Sequence, residues 1–178
     1  MGNTNSILVA GAGGQGIQFM GKQLALTGMH LNKKVTNIPS YGAEMRGGTS
    51  NCTVMISDEE IGAPVTGNPD IAIAMNLPSF IKFEKTVVPG GSLFCDCSMF
   101  DNKSARTDIK IYYIPATAIA YENDMPKSAN VIMLGKLIKE TGIFTMDELV
   151  SSMEKSMAEG KKELLEMNIK ALKLGFEY

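Results

Sequence analysis

A short apolar strand that runs into a glycine-rich turn and then into a helix constrains this chain more than any other feature. Ser6–Ala10 (Ser-Ile-Leu-Val-Ala) reads as a buried strand that stops at Gly11. Gly11-Ala12-Gly13-Gly14-Gln15-Gly16 follows, and a helix is expected from about residue 14 to 30. Ile17, Met20, Leu24 and Leu31 fall on one face of that helix, with Gly21 and Gly28 on the same side, where small residues let a helix approach a sheet. The turn fits G-x-G-x-x-G. In that pattern the first glycine permits the tight turn, the second lets a phosphate reach the backbone, and the third lets helix and strand pack closely. N–H groups at the helix start would then face an anion. A tight strand-to-helix turn with no ligand fits the same residues.

Periodicity along the rest of the chain alternates strand and helix. Lys34–Ile38 is a second strand, ended by Pro39. Asn51–Ser57 alternates as a strand, and Asp58-Glu59-Glu60 turns it into Ile61–Val65, a hairpin that would put antiparallel pairing into the sheet. Further strands are expected at Asp70–Met75, Ser92–Asp96 and Asp108–Ile114, the last interrupted by Pro115. A short helix should start at Pro78 and reach about Lys85. The last third reads as helical. Asn130 is expected to cap a helix that ends at Gly142, and Thr145-x-x-Glu148 is a capping box for the next. A final helix runs from about Lys161 to Leu174. The expected architecture is a single Rossmann-like α/β domain over residues 1–178. Its sheet is mostly parallel with an antiparallel hairpin, its helices lie on both faces, and its C-terminal end is helical. In such sheets ligands gather beyond the carboxyl ends of the strands.

The segment between the second and third strands does not read as a crossover helix. Ser40–Ser50 follows a proline and holds Gly42, Gly47 and Gly48. Long connectors without secondary structure are often functional. Within it, Arg46 beside Gly47 and Gly48 could take a carboxylate or phosphate in its guanidinium fork, with Glu44 orienting it or pairing across a subunit boundary. A structural loop with a local Glu–Arg pair is the plainer reading. A dinucleotide site would also want an acidic residue at the end of the second strand, where this chain has Ile38, Pro39 and Ser40.

Composition excludes several classes. Of 178 residues 44% are hydrophobic and 20% charged, so the chain can bury a core and is neither disordered nor a coiled coil. Seventeen basic side chains against 19 acidic ones, evenly spread, argue against a nucleic-acid surface. No apolar run approaches the roughly 18 residues of a membrane span. The start, Met1-Gly2-Asn3-Thr4-Asn5-Ser6, formally fits a myristoylation pattern, but no basic cluster accompanies it. The three cysteines, Cys52, Cys95 and Cys97, fit a reducing cytoplasm and read as small buried hydrophobes. The single histidine, His30, falls at a helix end and reads as a cap or a solvent-facing side chain. A Ser–His–Asp triad or a His-rich metal site is therefore not expected.

Taken together, the motifs resemble the γ subunit of 2-oxoacid:ferredoxin oxidoreductases, which also occurs as a fused domain in single-chain pyruvate enzymes. The resemblance rests on Gly11–Gly16 and on Ser40-Tyr41-Gly42-Ala43-Glu44-Met45-Arg46-Gly47-Gly48 with Thr49-Ser50-Asn51-Cys52. It continues through Ser57-Asp58-Glu59-Glu60-Ile61-Gly62 and Ile73-Ala74-Met75-Asn76-x-Pro78-Ser79. Pro89-Gly90-Gly91 and Asn130-x-x-x-Leu134-Gly135 complete it. The Ala-Glu-Met-Arg-Gly-Gly segment is most similar to the 2-oxoglutarate and branched-chain types, with Ala43 standing where proline is common.

The resemblance implies a complex that converts a 2-oxoacid and coenzyme A to acyl-CoA and carbon dioxide while reducing ferredoxin. Thiamine diphosphate with magnesium and iron–sulfur clusters would sit on α, β and δ subunits, and none on this chain alone. It implies no catalytic residue and no metal ligand here. Gly11, Gly13, Gly14, Gln15, Gly16, Ser40, Tyr41, Gly42, Glu44, Arg46, Gly47 and Gly48 would form a cofactor-binding or subunit-facing edge near the coenzyme A route. A γ–γ contact is compatible with it. An indolepyruvate oxidoreductase subunit and a free-standing dinucleotide-binding protein are the alternatives.

Overall fold

The computed structural model describes residues 4–40, 50–64, 66–157 and 161–178. In chain order the strands are β1 (Thr4–Gly11), β2 (Lys34–Ser40), β3 (Ser50–Ser57), β4 (Ile71–Ala74), β5 (Ser92–Asp96) and β6 (Lys110–Ile114). The helices are α1 (Ile17–His30), α2 (Leu77–Phe83), α3 (Ala116–Glu122), α4 (Ala129–Thr141), α5 (Met146–Ser156) and α6 (Lys162–Glu177). The strands form one sheet in the order β2-β3-β1-β4-β5-β6. β1, β4, β5 and β6 pair in parallel, while β3 pairs antiparallel with both β1 and β2. Five strands therefore run one way, and β3 alone runs against them.

The antiparallel element of the sheet is real, but its position differs from the expected hairpin. Residues 61–64 form no strand, and β3 instead inserts between β2 and β1. Gly62 and Pro64 break the short apolar run that suggested pairing, and Pro64 has no N–H to give a ladder. Pro39 lies inside β2 rather than ending it, which an edge strand tolerates because one side of its backbone needs no partner.

Two apolar layers cover the sheet. Alternate β1 residues Ile7 and Val9 face the larger one, built with Met20 and Leu24 of α1 and with α3, α4, α5 and α6. Leu8 faces the smaller one, with Phe80 of α2, Leu93, Cys95 and Phe100. Helix α4 is buried on all sides, and it meets α6 backbone to backbone. A Cβ on Gly135 would strike the Leu172 carbonyl, and one on Gly175 the Ile132 carbonyl.

Helix ends follow the sequence with one exception. Gly142 takes the left-handed conformation (φ 63°) that ends α4. At α5, Thr145 Oγ1 accepts from Glu148 N–H (3.2 Å), and Thr145 N–H donates to Glu148 Oε2 (2.7 Å). Asn130 does not cap α4. Ser128 holds the cap position, and Asn130 lies inside the first turn with its side chain directed at the glycine turn.

Candidate functional site

The direction of the strands gathers the glycine-rich features at one edge. Gly11 pairs with Ser50 and Ser40 pairs with Asn51. The end of β1, the end of β2 and the start of β3 therefore lie side by side, and the segment between Ser40 and Ser50 leaves from and returns to that edge. Tyr41, Gly42, Glu44, Arg46, Gly47 and Gly48 themselves lie outside the described residues. Gln18, one residue into α1, reaches across to the start of β3 and donates from Nε2 to the Asn51 carbonyl (3.2 Å).

The four motif glycines do different work. Gly14 and Gly16 have positive φ (88° and 73°), a conformation that a side chain disfavours. Gly11 is close-packed: a Cβ there would meet Ile17 Cδ1 at 2.6 Å, Gln15 Oε1 at 2.7 Å and Met75 Cβ at 2.9 Å. Gly13 is exposed, and a Cβ there would meet nothing within 4 Å.

Gln15 occupies the turn with its own side chain. Its Oε1 accepts from Ala12 N–H (2.7 Å), and its Nε2 donates to the Met75 carbonyl (2.9 Å) at the end of β4. Asn130 covers Gly16 and donates from Nδ2 to the Gly16 carbonyl (3.4 Å). One turn N–H that a phosphate would use is thus already taken, and among the described residues no carboxylate stands at the end of β2 for a ribose. Both facts weigh against a dinucleotide site.

Beside this turn, at the carboxyl ends of β1 and β4, lies a cleft of about 160 Å³ lined by Gln15, Met75, Thr117, Tyr121, Lys127 and Asn130 among others. Thr117 is fixed by the fully buried Asp96, whose carboxylate accepts from Thr117 Oγ1 (2.6 Å) and N–H (3.2 Å). Sequence reasoning passed over Thr117, Tyr121 and Lys127. They come to the edge through α3 and the loop after it, and no motif marks them.

The cysteines do not form a metal centre. Cys52 belongs to the larger apolar layer and Cys95 to the smaller, on opposite faces of the sheet, so the chain's three thiols cannot ligate one cluster. Burial pushes both up to about 12, and it also raises the half-buried Cys97. Among the described residues no group of three His, Cys, Asp or Glu side chains could hold a metal ion. His30 ends α1, exposed, with Nδ1 3.0 Å from Ser152 Oγ. No helix among the described residues is long and apolar enough to cross a membrane.

Comparison with known proteins agrees with this layout. A family model described as pyruvate ferredoxin/flavodoxin oxidoreductase matches residues 6–178. Ketoisovalerate oxidoreductase subunit VorA of Methanothermobacter thermautotrophicus is 33% identical over 173 residues, a match covering 97% of this chain and 36% of that protein. The chain thus spans about a third of VorA. The 2-oxoglutarate synthase subunit KorC of Methanocaldococcus jannaschii is 33% identical over 174 residues, covering 96% of this chain and 91% of KorC. The crystal structure of the keto/oxoacid ferredoxin oxidoreductase γ subunit from Geobacter sulfurreducens superposes with a TM-score of 0.82 at 26% identity. It covers 97% of this chain and 96% of that one. A match that runs through the glycine turn, the β2–β3 edge and the C-terminal helices places the chain in the pyruvate ferredoxin/flavodoxin oxidoreductase family.

Proposed function

We propose that this chain is the γ component of a multisubunit 2-oxoacid:ferredoxin oxidoreductase. The reaction of that complex takes a 2-oxoacid, coenzyme A and oxidised ferredoxin to acyl-CoA, carbon dioxide and reduced ferredoxin. The relatives named for ketoisovalerate and 2-oxoglutarate make these the first 2-oxoacids to test. The chain's role is assembly, beside the α, β and δ subunits of such a complex, which carry thiamine diphosphate with magnesium and the iron–sulfur clusters. The carrying observation is the shared edge: the Gly11–Gly16 turn and both ends of the Ser40–Ser50 segment lie together, with no catalytic pair among the described side chains there.

Three features support this role. The turn is self-filled by Gln15, which suits a rigid docking edge better than a dinucleotide cradle. Gly13 leaves backbone bare at the surface, where another chain or the phosphate end of coenzyme A can approach. Arg46, on the segment anchored at that edge, would supply the cation for an acidic or phosphate group. The mass and cofactor content of the material that co-purifies with the chain from its native cells test the reading. Larger partners carrying thiamine diphosphate and iron are expected. A lone monomer or homodimer without either would contradict it.

A further inference from the structure

Helix α6 carries its packing face past the helix it packs on. Its buried residues are Asn168, Ala171, Leu172 and Gly175, and Gly175 lies against the Ile132 carbonyl of α4. Leu164 stands four residues before Asn168 and seven before Ala171, on the same stripe at helical spacing. It is nonetheless 45% exposed, and Met167, at the border of that stripe, is 41% exposed.

Leu164 borders a groove of about 220 Å³ whose other walls include Phe19 of α1 and Val131 of α4. The groove adjoins the cleft beside the glycine turn, since Lys127 and Asn130 line both. Met99 (46% exposed) and Tyr121 (66% exposed) line that cleft. Four large apolar side chains that the fold leaves exposed thus gather on one surface, from the glycine turn to the start of α6. Single exposed apolar residues are ordinary. A cluster of leucine, methionine and tyrosine around adjoining hollows is the composition of a protein interface.

The occupant follows from how the domain is carried in its relatives. It is one part of the longer VorA chain and nearly the whole of KorC. Within VorA a covalent link keeps the domain at high effective concentration beside the rest of the polypeptide, so contacts across the link can be weak. A separate chain has no such link, and its docking must rest on buried anchors. Leu164, Met167, Tyr121 and Met99 are side chains of that kind.

We propose that this surface docks the subunit related to the remainder of VorA, which seats apolar side chains in the groove and the cleft; the inference rests on the subunit reading above. The test uses the assembled complex. Leu164→Glu and Tyr121→Glu should each weaken association with that subunit about tenfold. Both side chains are exposed, and Leu164 lies in the first turn of α6, where a carboxylate suits the helix dipole. The isolated variants should therefore keep the parent's unfolding midpoint. Ile81→Glu is the control. Ile81 is 60% exposed on α2, which packs on the other face of the sheet, and this variant should associate as the parent does. Met167→p-benzoylphenylalanine, irradiated in the complex and mapped by mass spectrometry, should crosslink to the VorA-related subunit.

Unchanged association in both Leu164→Glu and Tyr121→Glu, or an equal loss in Ile81→Glu, would overturn the inference while leaving the subunit reading standing. Crosslinks only to a second copy of this chain, or only to a subunit unrelated to VorA, would do the same. A chain that purifies with no partner would remove both readings.

Discussion

The Gln15 side-chain amide donates to the Met75 carbonyl across 2.9 Å while its own oxygen accepts from Ala12 N–H at 2.7 Å. One side chain thereby closes the glycine turn and clamps it to the end of β4. Gln15→Ala would leave a half-buried N–H and carbonyl unpaired, with an expected loss of about 1–2 kcal/mol in urea unfolding. Gln15→Glu keeps the acceptor but sets a carboxylate against the Met75 carbonyl, so at neutral pH it should be no better than alanine. Two variants as stable as the parent would show that the clamp contributes nothing.

Where α4 crosses α6, no side chain separates the backbones. Gly135→Ala and Gly175→Ala should each cost about 2–3 kcal/mol, because the added methyl meets a carbonyl rather than a movable side chain. The double variant should cost less than the sum, since the first methyl already pushes the helices apart. Gly13→Ala is the control and should leave stability unchanged. Chemical denaturation of the four proteins checks all three statements.

The thiols predict a pH dependence. Burial moves Cys52 and Cys95 from 9.0 to about 12, so between those values the folded chain keeps protons that the unfolded chain releases. Stability therefore falls as pH rises past about 9, by up to roughly 1.4 kcal/mol per pH unit for each thiol. Cys52→Ala should flatten the slope of stability between pH 9 and 10.5 relative to the parent. A thiol reagent at pH 8 should modify Cys97 alone in the folded chain and all three cysteines after denaturation.

Arg46→Ala tests the loop. In an assembled complex it should lower 2-oxoacid oxidation or subunit association several-fold, while the isolated chain keeps its unfolding midpoint. Full activity in an assembled Arg46→Ala complex would remove Arg46 from the account.

Much of the layout was legible because it is local. The β1 run, the glycine turn, the Thr145–Glu148 capping box and the glycine stop at 142 each depend on neighbours within a few residues. What the sequence hid depends on distant pairing. Nothing near residues 50–57 says that β3 will insert between β2 and β1. The Ile61–Val65 alternation suggested a local partner that Gly62 and Pro64 prevent. Asn130 sits where a cap residue would sit, yet its side chain works against Gly16, 114 positions away in sequence. Helix α3 escaped notice because seven residues after a proline leave too little periodicity to read. The cleft depended on that helix, so Thr117 and Tyr121 escaped with it.

Reconstitution with and without this chain is the decisive experiment on its role. The purified partner subunits are assayed for 2-oxoacid- and coenzyme A-dependent reduction of ferredoxin, with 2-oxoglutarate and ketoisovalerate offered in turn. The chain alone should be inactive, the partners without it should be strongly impaired, and adding it should restore the rate. Full activity of the partners in its absence, or activity of the chain alone, would contradict it.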